Sequence, residues 1–179
     1  MEADWEFEIG GDAPVIDACW RGFVNLRDEP ARVREIRETE MLPGLAEALL
    51  QLNREKSPVW TCKTDVFVPE QFDRDELAAN SDEAKFSIAC YLDVLMGDSQ
   101  VWPDAGRVEE DCRRLCVQMR QIPLRCCRVD LVIRRARLAD SNDLGVTAYL
   151  TACGRTLVDA RGRLGECLAA FARLMVTES

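Results

Sequence analysis

The chain has 179 residues, 47% of them hydrophobic, with a formal net charge of -9 and a pI near 4.7. These totals suit one domain over 1–179 and argue against sequence-independent binding to DNA or RNA, which draws most of its affinity from basic residues. Histidine is absent, which excludes the Ser–His and Cys–His nucleophile pairs and removes the commonest zinc ligand.

Residues 4–9 alternate Trp5, Phe7 and Ile9 against Asp4, Glu6 and Glu8, the period of a first strand, and Gly10-Gly11-Asp12 breaks it. Over 18–26, Trp20, Gly22, Val24 and Leu26 alternate with Cys19, Arg21, Phe23 and Asn25 and predict a second strand. Asp28-Glu29-Pro30 reads as a helix start, with acids at the positive end and proline where a missing N–H matters little. That helix carries Val33 and Ile36, and Pro43 divides it from a segment with Leu45, Leu49 and Leu52.

Ser57-Pro58 opens a third strand, with Trp60, Cys62, Val66 and Val68 expected on one side and Thr61, Lys63 and Asp65 on the other. The loop 69–83 holds six carboxylates against one arginine. The fourth strand sets Phe86, Ile88, Cys90, Leu92, Val94 and Met96 against Lys85, Ser87, Tyr91 and Asp93, and Gly97-Asp98-Ser99 ends it. From Arg107, the stripe Val108, Cys112, Leu115, Cys116, Met119 and Ile122 predicts an amphipathic helix, which Pro123 closes.

The pattern is clearest over 126–175. Val129, Leu131 and Ile133 alternate with Arg128, Asp130 and Arg134; turn residues fill 139–145; then Val146, Ala148, Leu150 and Ala152 alternate with Thr147, Tyr149 and Thr151. Thr156 followed by Asp159 offers a capping box for a last helix with Leu157, Leu164, Leu168, Phe171 and Met175 on one face. Glycine inside a helix is unfavourable by about 1 kcal/mol, so Gly162 and Gly165 imply close packing against the sheet. The pattern is thus three consecutive ββα units, starting near residues 4, 59 and 126. It predicts one α+β domain with a mainly antiparallel six-stranded sheet, helices on one face and the other face open to water or a partner.

If every parity holds, the open face collects Arg21, Lys63, Asp65, Tyr91, Asp93, Arg128, Asp130, Arg134 and Tyr149, a mixed-charge surface rich in the residue types that dominate interfaces. Phe23, Phe67, Leu95 and Val132 share that parity and suggest that something covers the face. Two uses follow. One is an acidic interaction protein, inhibitor- or immunity-like, that binds a protein partner, a basic one being the electrostatic complement, or a second copy as a homodimer. The alternative is an enzyme in which Asp65, Asp93 and Asp130 converge on a divalent metal, or a small-anion binder in which Arg128 or Arg134 holds the ligand. The lack of a catalytic motif leans away from an enzyme, and no cofactor or metal is called for.

Nine cysteines, odd in number and without a CxxC, read as reduced core thiols rather than as a zinc site or a disulfide framework. The acidic start and the absence of any apolar run near 18 residues lead to the expectation of a soluble cytoplasmic protein that does not cross a membrane. Twenty arginines against three lysines fit a GC-rich bacterial genome.

Overall fold

A computed structural model describes residues 1–96, 104–138 and 141–177. Its centre is a six-stranded sheet in the order β1-β5-β6-β4-β3, built from β1 (Glu2–Glu8), β3 (Val59–Phe67), β4 (Phe86–Met96), β5 (Cys127–Leu138) and β6 (Ser141–Gly154). The two-residue β2 (Ile16–Asp17) pairs with β5 beyond the end of β1. The helices are α1 (Glu38–Met41), α2 (Leu45–Leu52), α3 (Ala105–Arg120) and α4 (Leu157–Thr177), with a short 3-10 helix at Pro30–Glu35. Among the described residues, no helix is long and apolar enough to cross a membrane.

The sheet is mixed, which corrects the expectation of a mainly antiparallel one. β3–β4, β4–β6 and β5–β6 are antiparallel, whereas β1 and β2 both run parallel to β5. The expected succession of three ββα units also fails at its first member. Residues 18–26 form no strand, and β1 and β2 do not pair with each other.

One face of the sheet carries the main core. Ile88, Cys90, Leu92 and Val94 of β4, Val129, Leu131 and Ile133 of β5 and Val146, Ala148, Leu150 and Ala152 of β6 are buried against Leu45, Leu49 and Leu52 of α2, the Val108–Met119 stripe of α3 and Leu164, Leu168 and Phe171 of α4. Packing of the helix stripes drives their formation more than propensity does, and local signals fix where they start. Asp104 accepts a hydrogen bond from the Arg107 N–H at 2.9 Å. Thr156 and Asp159 form the expected capping box, each side chain accepting from the other's backbone N–H at 3.1 Å. Gly165 does permit a close approach, but not to the sheet: an added Cβ would lie 2.8 Å from the Pro43 carbonyl oxygen, ahead of α2. Gly162 has open space around it, so the packing argument fails there.

Two further expectations need correction. The 139–145 turn is shorter than expected, because β6 begins at Ser141 and its residues 141–145 pair with Arg134–Leu138; residues 139–140 lie outside the described residues. The register of β3 shifts between Thr61 and Lys63, leaving Cys62 as an extra residue, a β-bulge. Trp60 and Cys62 therefore share a face with Lys63 and Asp65, while Val66 joins the main core. Residues 97–103, including the turn expected at Gly97-Asp98-Ser99, lie outside the described residues.

Candidate binding face

The second face of the sheet is covered at both ends by the chain itself. Residues 16–26 run from β5 across this face to β3 and round its edge: Ile16 and Ala18 pack with Cys62, Leu95 and Ala136, Phe23 packs on Trp60, and Val24 and Leu26 reach the main core. Gly145 lies under this strap, where an added Cβ would come within 2.9 Å of Ile16 Cδ1 and 2.8 Å of Leu95 Cδ2. At the other end, the acidic loop 69–84 places Phe72, Leu77, Ala79 and Ala84 over Cys126 and Cys153. Glu83 fastens it near Arg125 at 3.4 Å and Arg163 at 3.8 Å.

Between the straps lies a polar band whose rows follow from the register. One row runs Glu6, Val132, Thr147, Asp93, Lys63, and the next runs Asp4, Asp130, Tyr149, Tyr91, Asp65. In the first row, Thr147 Oγ1 donates to Asp93 Oδ1 at 2.6 Å, and Arg134 Nη1 donates to Thr147 Oγ1 and to the Tyr149 hydroxyl, each at 3.1 Å. Arg134 Nε donates to Glu8 Oε2 at 2.8 Å, so the network spans the sheet from β1 to β4. The Tyr91 and Tyr149 rings stand side by side with centroids 5.9 Å apart. The Lys63 ammonium lies 5.8 Å from the Tyr91 ring and equally far from Trp20, and the Arg134 guanidinium lies 5.5 Å from the Tyr149 ring.

Burial sets the electrostatics. Asp93 is only 7% exposed, and burial raises its carboxyl above the usual carboxylate value, opposed by the Thr147 hydrogen bond and the charges of Lys63 and Arg134. Contact with the Tyr91 hydroxyl holds Lys63 above its ordinary value, and burial raises Tyr91 itself. Arg128 is raised by its two-oxygen contact with Asp130, at 2.8 and 2.9 Å from Nε.

Of the nine residues expected on this face, the structure brings Lys63, Tyr91, Asp93, Arg134 and Tyr149 into one cluster and sets Asp65, Arg128 and Asp130 around it. Arg21 is not there: it lies exposed in the turn after β2, because the strand expected over 18–26 does not form. Asp65, Asp93 and Asp130 do not converge. Asp65 and Asp130 occupy one row with both tyrosines between them, three strand intervals or about 14 Å apart. No group of three metal-ligating side chains is found among the described residues. Nor is Arg128 or Arg134 free to hold a small anion, since Asp130 and Glu8 already engage them. Of the apolar residues expected on this parity, Leu95 lies under the strap, Phe23 is part of the strap, and Val132 is buried, leaving Phe67, 38% exposed, at the open rim.

Sequence reasoning missed Thr147 and Glu8, the two links that join Asp93 to the β1 edge through Arg134. Both stood on the polar parity of their strands, but only the parallel pairing of Glu8 with Arg134 and the Asp93–Thr147 register make them partners. Comparison of the chain with protein families, with curated proteins and with solved structures finds no match.

Proposed function

We propose that this is an interaction protein that binds a basic protein partner over the uncovered middle of the second sheet face. The observation that carries this reading is the Tyr91–Tyr149 pair, held on the adjacent strands β4 and β6 and flanked by Lys63 of β3 and Arg134 of β5. Tyrosine and arginine supply the largest share of interface energy, and side chains already ordered by a sheet and its hydrogen bonds give up little freedom on binding.

Charge supplies the partner's sign. Strand parity assigns Glu2, Asp4, Glu6, Glu8, Asp65, Asp93 and Asp130 to this face against Lys63, Arg128 and Arg134, seven carboxylates to three cations. The surplus lies at the rim, on β1 and on β3, where it would steer a cationic surface rather than anchor it. Arg128 and Arg134 are already engaged by Asp130 and Glu8, and Lys63 lies beside the Tyr91 ring.

The test is capture from the native lysate by the intact chain and by an Asp65→Lys, Tyr91→Ala variant, followed by binding measurements with the purified captured protein. A basic protein that binds the intact chain, loses affinity as salt rises and fails to bind the variant is the expected result. Equal affinity for the variant would remove this face from the interaction. Sedimentation that instead finds a dimer, dissociated by the same two substitutions, would assign the face to a second copy.

A further inference from the structure

We propose that a cavity beside the free edge of β3 binds a small carboxylate with an apolar body, about the size of a benzene ring with a short side chain. This site is separate from the face proposed for the protein partner and does not rest on that reading, although Lys63 borders both.

The cavity lies where residues 20–26 and 35–38 stand off the edge strand at its bulge, and its volume is about 230 Å³. An apolar cavity of about 150 Å³ is enough to take up benzene. Trp20, Val24, Ile36, Leu49 and Cys62 supply apolar lining. The Trp20 wall is fixed in advance. Its indole Nε1 donates to the Cys62 carbonyl at 2.7 Å, and its ring lies so close over Gly22 that an added Cβ there would meet the ring at 2.0 Å. Only glycine leaves room for this arrangement, and the bulge presents the Cys62 carbonyl to the indole.

The charged groups at the lining favour an anion. Glu35 is engaged by Arg32 at 2.9 Å. Arg37 and Lys63 line the same cavity, and neither has a carboxylate within ion-pair distance among the described residues. Glu38 is the one other charged residue there, so the cations are in excess. An apolar hollow with a few charged groups at its border is the composition of a small-molecule site, and a carboxylate gains charge-assisted hydrogen bonds from such cations.

The probe is phenylpropionate, titrated to about 10 mM while the Trp20 indole N–H is followed by NMR, its signal identified by loss in Trp20→Phe. A saturable shift is expected. Filling the cavity with Val24→Phe should abolish it, with the amide signals of β4 and β6 serving as the check that the sheet is intact. Arg37→Gln with Lys63→Gln should weaken binding roughly tenfold, and phenylpropionamide should bind the intact chain more weakly by a similar factor. The proposal is overturned by a signal that does not move up to the highest concentration, or by unaltered binding in Val24→Phe. Equal affinity for the amide would overturn the assignment of an anionic ligand.

Discussion

The two faces of this sheet are made by the same strands, one residue out of step, yet they are stabilised in opposite ways. On the helix face, β4, β5 and β6 contribute only apolar side chains at their centres, and α2, α3 and α4 close over them. On the second face the same strands contribute Asp93, Arg134, Thr147 and Tyr149, and among the described residues the chain closes over the two ends alone. The first face is held by non-directional burial and tolerates a change of shape by repacking. The second is held by donors and acceptors whose partners are individually specified, so its geometry is fixed while its middle stays accessible.

The largest effect should therefore come from the dry face. Phe171 of α4 is fully buried at the centre of the helix layer, and Phe171→Ala should destabilise the fold by about 3–5 kcal/mol, read as a lower urea midpoint. On the other face the comparable change is one of partners rather than volume. Thr147 is 1% exposed and both donates to Asp93 and accepts from Arg134. Thr147→Val keeps the shape but takes the donor from the buried Asp93, while Arg134 keeps Glu8 and Tyr149, an expected loss of about 1–3 kcal/mol by the same measurement. A loss as large as that of Phe171→Ala would mean that the polar band, not the helix layer, limits stability.

The faces should also differ in their response to pH. Burial raises Asp93 in the folded chain, so folding favours its protonated form. The stability this contributes is complete below the ordinary carboxylate value of about 3.9 and is lost as pH rises through the folded value. Asp93→Asn removes that dependence and keeps an acceptor for Thr147. Its stability relative to the native protein should be highest near neutrality and should decline as the pH falls, measured by urea unfolding across the range. A relative stability that instead rises in acid would mean that Lys63, Arg134 and the Thr147 hydrogen bond outweigh burial.

How much of this was legible in the sequence follows the same division. The helix face was readable because burial writes a period: the core residues expected of β5 and β6 and the central four of β4 are buried, only Phe86 and Met96 at the ends of β4 being exposed or partly so, and the Thr156–Asp159 cap is where it should be. The second face was readable only in part. Residues 18–26 alternate like a strand because they touch different neighbours in succession: Ala18 and Phe23 lie on one side of the sheet and Val24 and Leu26 reach the other. The extra residue in β3 has no composition of its own, so the parity of Trp60, Cys62 and Val66 was assigned as if the strand were regular. That Arg134 would find Glu8 rather than an anion depends on a pairing between strands 126 residues apart, which no local period encodes.

The smallest expected effect on stability separates holding the fold from using it. Glu2 and Glu6 are exposed on β1, the edge strand whose second-face parity also carries Glu8. Unlike Glu8, neither is held by a cation in the network described above, so Glu2→Lys with Glu6→Lys should change folding stability by less than about 0.5 kcal/mol. Reversing two rim charges should nevertheless slow association with a basic partner and flatten its dependence on salt, since rim charges act chiefly on encounter. Thr147→Val predicts the converse, a loss of stability at unchanged rim charge. If the double lysine variant unfolded earlier and bound as before, the acidic edge would belong to the architecture of the sheet, and partner recognition would have to be sought in the tyrosine pair alone.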